Sequence, residues 1–217
     1  MTQLDLGAQV DRYCERLGPE FWAEPLNAVT NAAFLIAAIV AFLMWRKKTP
    51  DDRVALALIG IVFLTGIGSF LFHTFATRWA GMADVIPIVV FIHFYLLIAL
   101  KRFLGMSWVL AGALVIGFFV MSPGLGEVWA PIVGSSAFYL PALLAIFAVG
   151  IAFWRIDKKL GRDLLLTGVL FAVSVTFRAL DMPLCADVTA GTHFLWHILN
   201  SLVLFSLLRV LILHRSG

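Results

Sequence analysis

The chain is written in long apolar runs separated by short polar breaks. Runs of about the 20 residues needed to cross a bilayer core fall at 27–45, 54–76, 84–100, 107–122, 132–154, 163–180 and 192–213. The predicted fold class is therefore all-α, an integral membrane bundle of seven transmembrane helices. The fourth run is short and holds Gly112 and Gly117. Three breaks read as loops: Arg46–Arg53 with its Lys-Lys-Thr-Pro-Asp-Asp, Ser122–Pro131 with its Pro-Gly-Leu-Gly, and the charged Asp157–Arg162. No linker or repeat divides the sequence, so residues 1–217 form one membrane domain, preceded within it by a polar N-terminal segment, 1–26.

Composition agrees with that solvent. Of the 217 residues 62% are hydrophobic and 13% charged, too little polar surface to cover a water-soluble globule. Residues 1–18 carry Asp5, Asp11, Arg12, Glu15 and Arg16 without an apolar core, which excludes a cleavable signal peptide there. The net charge of +3 does not point to nucleic acid, because the basic residues sit in short clusters between apolar runs. Counted on alternate sides, Arg46, Lys47, Lys48, Arg53, Lys101, Arg102, Arg155, Lys158, Lys159, Arg162, Arg209 and Arg215 oppose Arg12, Arg16, Arg78 and Arg178. Twelve against four places the N-terminus outside and the C-terminus in the cytoplasm. Six of seven tryptophans, at 22, 45, 79, 108, 129 and 154, lie near span ends, as interfacial indoles do; Trp196 is the exception. Short loops and the missing targeting segment fit a bacterial inner membrane.

The candidate chemistry lies at one depth. Ser69 and His73 are four apart, as are His193 and His197, so each pair projects from one helical face. The topology puts both pairs and Asp84 at the outer ends of their spans. Three converging imidazoles with an open fourth position make a hydrolytic zinc site, where the metal must hold and acidify a water. The plainer alternatives are a polar cluster that only packs, an Asp84 paired with Arg78, and a Ser69 hydroxyl returned to its own helix. His93 has no partner four residues away and reads as bonded to a neighbouring carbonyl, and His214 as a loop histidine. Arg178 and Asp181 close the outer end of their span, where they could meet a lipid headgroup, with an ion pair between them as the simpler account; Gly60, Gly66 and Gly68 read as close helix contacts. Asn27 and Asn31 share a face with Glu24 and are in reach of interhelical hydrogen bonds.

These residues, with Tyr13-Cys14-Glu15 and Glu24-Pro25-Leu26-Asn27-Ala28-Val29-Thr30-Asn31 before them, resemble the alkaline ceramidases. The wider group of seven-helix hydrolases, often called CREST, shares the serine, aspartate and three histidines, and the resemblance spans about Asp11 to Arg209. It implies that His73, His193 and His197 bind zinc, that Asp84 orients or deprotonates the water, and that Ser69 stabilises the oxyanion. The implied reaction cleaves the amide of ceramide or a similar N-acyl lipid at the outer leaflet, giving a fatty acid and a long-chain amine. A seven-helix lipid receptor and a zinc-dependent lipid esterase are the alternatives. Calcium is a second implied cation, held by Asp11, Glu15 and Glu24; Arg12 and Leu17 depart from the family's pattern for it, and the alternative is a solvated acidic segment partly neutralised by Arg12 and Arg16. Cys14 and Cys185 both fall on the outer side, where an oxidising compartment permits a disulfide, and the resemblance implies that bond; the alternative is two unpaired thiols.

Overall fold

A computed structural model describes residues 5–214, so Arg215 of the charge count lies outside the described residues. Among them the regular structure is helical: α1 (Pro25–Thr30), α2 (Ala32–Lys48), α3 (Arg53–Phe75), α4 (Arg78–Arg102), α5 (Trp108–Val133), a 3-10 turn (Gly134–Tyr139), α6 (Leu140–Trp154), α7 (Lys158–Leu180) and α8 (His193–Leu213). Six stretches are long and apolar enough to cross a membrane: Pro25–Lys48, Arg53–Phe75, Arg78–Arg102, Trp108–Trp154, Lys158–Leu180 and His193–Leu213. The protein is a multi-pass membrane bundle.

Two expected loops are helix. Residues 122–131 continue α5, although Pro123 and Pro131 lie inside it. In an apolar solvent an opened helix leaves N–H and C=O groups without partners, and that cost overrides the local turn chemistry. The break falls later, at Gly134, so the apolar block expected at 132–154 yields a helix of only 15 residues, α6. At the second break Asp157 accepts from the Lys159 and Leu160 N–H groups, so the charged run Lys158–Arg162 becomes the capped first turn of α7. α2 and α4 also overrun their apolar windows, since hydropathy stops at the first charge whereas hydrogen bonding continues past it. α4 in particular begins at Arg78, which puts Asp84 in its second turn.

α8 is the most buried span and the axis of the bundle. Val203, Leu204, Leu207, Leu208 and Leu211 pack with Phe34 and Ala38 of α2, Leu58 and Val62 of α3, Phe91 of α4 and Leu164 and Phe171 of α7. Two core hydroxyls are satisfied by main chain: Tyr95 donates to the Leu207 carbonyl and Ser174 to that of Trp196. At one end of the bundle Asp52 caps α3 and pairs with Arg102 of α4. The opposite end, where α3 stops and α8 starts, holds the histidines.

The N-terminal segment lies across this histidine end. Main-chain bonds join Leu6, Ala8 and Val10 to Trp79, Arg78 and Ala76. A disulfide joins Cys14 to Cys185 in the loop before α8. Asp181 is only 1% exposed and reinforces the tie: Oδ2 accepts from the Cys14 N–H at 2.9 Å, Oδ1 from those of Thr192 and His193 at 2.7 and 2.9 Å. The expected Arg178–Asp181 pair is absent from the described ion pairs, because three main-chain donors, two at the start of α8 and one at Cys14, take the carboxylate instead.

Candidate metal centre

His73 comes from the last turn of α3, His193 and His197 from the first two turns of α8. All three are buried, and their ring centroids lie 4.6–5.2 Å apart. One nitrogen from each lies within 4.8 Å of the others. Nε2 of His73, Nδ1 of His193 and Nε2 of His197 have no hydrogen-bond partner. One orphaned buried imidazole nitrogen is costly; three in one spot are the donor set that a metal ion would satisfy, with nitrogen donors suiting a borderline ion such as zinc.

The remaining contacts of two rings set their tautomers. His73 Nδ1 lies 2.6 Å from Glu24 Oε2, and His197 Nδ1 lies 3.0 Å from Thr30 Oγ1. Thr30 gives its own proton to the Leu26 and Asn27 carbonyls, so its oxygen accepts from Nδ1–H. Burial alone would raise the Glu24 carboxyl; its hydrogen bonds with His73, Arg16 and Asn27 outweigh that and hold it below the usual range. Glu24 is therefore a carboxylate that accepts from Nδ1–H. In both rings Nε2 is left with its lone pair toward the cluster, the arrangement by which outer groups orient metal-binding histidines. Tyr13 stacks on His193 at 3.7 Å.

Glu24 itself is fixed by Arg16, which sequence reasoning treated as part of a solvated segment. Arg16 is 6% exposed; its Nε meets Glu24 Oε1 at 2.5 Å, and its other nitrogens donate to the Gly18 and His73 carbonyls at 2.9 and 3.0 Å. Glu24 also accepts from Asn27 Nδ2 at 3.1 Å. The two asparagines thus work within the first helix rather than between helices, Asn31 donating to the Asn27 carbonyl.

Asp11, Glu15 and Glu24 do not gather. Glu15 caps α1, accepting from the Leu26 and Asn27 N–H groups at 2.7 and 2.8 Å, Glu24 is taken by Arg16 and His73, and Asp11 is exposed. Among the described residues the histidine trio is the group that could hold a metal ion.

Ser69 and Asp84 meet beside the trio. The Ser69 hydroxyl lies beside the Asp84 carboxylate, which also interacts electrostatically with His73. The approach depends on Gly68, where a Cβ would run into the Ala83 carbonyl. That carbonyl is free to face α3 because Pro87, four residues on, has no N–H to give it. Gly66 makes a similar contact with α2, whereas Gly60 has nothing within 4 Å. Arg78 forms no ion pair with Asp84 among those described. His93 bonds to the Val89 carbonyl at 2.7 Å, as its isolated position predicts.

A buried tri-imidazole cluster with a carboxylate beside it, at the end of an apolar bundle, is the equipment of a membrane hydrolase. The family model described as Ceramidase matches residues 12–217. The chain belongs to the ceramidase family. Membership makes it a hydrolase of amide C–N bonds, acting on the N-acyl linkage of lipid substrates. No curated protein matches the chain.

Proposed function

We propose that the protein is a zinc-dependent amidohydrolase cleaving ceramide or a similar N-acyl lipid to a fatty acid and a long-chain amine. The observation that carries this reading is the trio of orphaned imidazole nitrogens, two of them backed by Glu24 and Thr30. His73, His193 and His197 would hold the ion, which when bound supplies Lewis acidity and lowers the pKa of water.

The chain's own groups do the rest. Asp84 accepts a proton from the attacking water and delivers it to the leaving nitrogen as the C–N bond breaks and the acyl carbon gains oxygen. Ser69 positions Asp84 through its hydroxyl. A serine nucleophile is disfavoured, because His73 spends Nδ1 on Glu24 and Ser69 rests on a carboxylate. An apolar cavity between α4, α6, α7 and α8 begins at Ile88, about one turn from Asp84, and reaches Ala99 and Leu207. That is roughly 16 Å along α4, room for a hydrocarbon chain of the substrate.

This reading includes seven crossings, with α5 and α6 each spanning the bilayer. It is supported by Arg178 bonding to Ser135 and Ser136 at the histidine end, while Phe153 packs on Phe103 at the other. The excess of Lys and Arg at the end opposite the histidines supports a site at the outer leaflet, and the short loops fit a bacterial inner membrane. The acidic N-terminal segment acts as scaffold for His73 and α1, not as a calcium site.

Product analysis by mass spectrometry tests the assignment. Purified zinc-loaded protein given a panel of N-acyl and O-acyl lipids should release fatty acid and amine from the N-acyl members. Cleavage confined to O-acyl lipids would replace the amidase with an esterase, and tight binding without turnover would favour a receptor.

A further inference from the structure

Beside the metal centre lies a second cavity, of about 280 Å³, that the hydrolytic reading leaves unused. Arg12, Tyr13, Gly134, Ser135, Ser136 and Arg178 are among its lining. Arg178 donates Nη1 to Ser135 Oγ and Ser136 Oγ at 2.8 and 3.0 Å and Nη2 to the Tyr13 hydroxyl at 3.2 Å. Its guanidinium also lies 5.1–5.9 Å from the ring centres of Tyr13, Tyr139 and Trp196. The three rings and three hydroxyls hold the cation in place, yet no carboxylate comes within 4.0 Å of Arg178 or Arg12 among the described ion pairs.

The arrangement has a direction. A hydroxyl that accepts from Arg178 keeps its own proton to give, and among the described residues nothing accepts from Ser135, Ser136 or Tyr13. Three O–H donors and two guanidinium groups thus border one cavity. Asp181 also lines it, but both of its oxygens are committed to main-chain N–H groups. Asp84 interacts with both arginines only at longer range, since neither is bonded to it. The turn that presents the serines starts at Gly134, whose φ of +57° a side chain would strain. Tyr13 belongs both to this cavity and to the stack on His193, so a group seated here lies one aromatic ring from the metal centre.

We propose that this cavity is an oxyanion subsite for the phosphate class of lipid headgroup, so that the enzyme takes N-acyl lipids whose polar end, or whose neighbour in the bilayer, is anionic. The substrate statement rests on the amidohydrolase reading; the binding site does not. Arginine and hydroxyl donors match phosphate oxygens, and an aromatic-lined position near the bilayer surface is where such headgroups lie.

The test uses the full-length zinc-loaded protein with Arg178→Gln, Arg12→Gln and the Ser135→Ala/Ser136→Ala pair, and Arg162→Gln from the far end as control. The first readout is thermal stabilisation by inorganic phosphate and by a single-chain alkyl phosphate, which needs no turnover. The second is KM for an N-acyl lipid with a free and with a phosphorylated headgroup, in phosphatidylcholine or phosphatidylglycerol vesicles. The expected result is stabilisation by the alkyl phosphate and a KM on the order of tenfold lower for the phosphorylated lipid, both lost in the three cavity variants and kept in Arg162→Gln. Stimulation by phosphatidylglycerol alone would assign the oxyanion to a neighbouring lipid, and stabilisation by inorganic phosphate alone to the free ion. If no probe distinguishes the cavity variants from Arg162→Gln, the subsite is overturned. Should Arg178→Gln fail to fold, exposed Arg12 and the serine pair carry the same comparison. Phosphate binding without any amide cleavage would instead fault the hydrolase reading and leave the subsite standing.

Discussion

His73 and Glu24 stand 49 positions apart in the chain and meet through a single 2.6 Å contact between Nδ1 and Oε2. The carboxylate fixes which imidazole nitrogen is left for a metal ion, and Arg16 fixes the carboxylate.

Glu24→Gln should therefore weaken zinc binding by about 10- to 100-fold while the protein stays folded. Competition against a chelator of known affinity measures it. Alanine at His73, His193 or His197 should remove stoichiometric zinc altogether, and folded variants with full occupancy would disprove the ligand set.

Asp84→Asn should keep the metal and lose about 10²- to 10⁴-fold in hydrolysis, because an amide cannot take the water's proton. Ser69→Ala removes the hydroxyl beside that carboxylate and should cost about tenfold. Turnover and metal content measured on the same samples separate the two effects; a near-native Asp84→Asn enzyme would move the base elsewhere.

The histidine trio was legible because two pairs share an i, i+4 spacing and one depth, and a helix turns both features into a common location. The contact of Glu24 with His73 was not. Nothing local marks Glu24 as the partner of a residue 49 positions on, and as one of several acids in a polar segment it looked like a cation ligand. Arg178 and Asp181, three apart, had the spacing of an ion pair, but local spacing cannot register the main-chain donors that the 182–192 loop brings back to Asp181. Likewise Pro-Gly-Leu-Gly is a turn in water, and only the bilayer makes it cheaper to continue the helix to Gly134.

Cys14→Ser or Cys185→Ser should lower stability by about 3–5 kcal/mol from loop closure, the bond spanning 171 positions. Unfolding followed with and without reductant measures it. Identical curves would mean that the Asp181 contacts alone hold the segment.

Acid should weaken the opposite end. Burial acts to raise the Asp52 carboxyl, but the Arg102 pair and the Ala55 and Val54 N–H bonds outweigh it and hold it below its ordinary value. A folded-state value below the unfolded one of about 3.9 means this stabilisation is complete above that pH and is lost as pH falls through the folded value. Asp52→Asn should cost about 2 kcal/mol at neutral pH and flatten the decline of apparent Tm below about pH 4. An unchanged acid limb in the variant would remove Asp52 from the account.

The scaffold of Glu24, Thr30 and His73 is synthesised long before the two ligands on α8. At about 5–20 residues per second, His73 waits roughly 6–25 s for His197 to be made. During that interval Glu24 is within the synthesised part of the chain and is available to Nδ1 of the first imidazole. The histidine cluster is thus completed only near the end of translation, and a chain arrested before α8 has the carboxylates but only one of the three imidazoles.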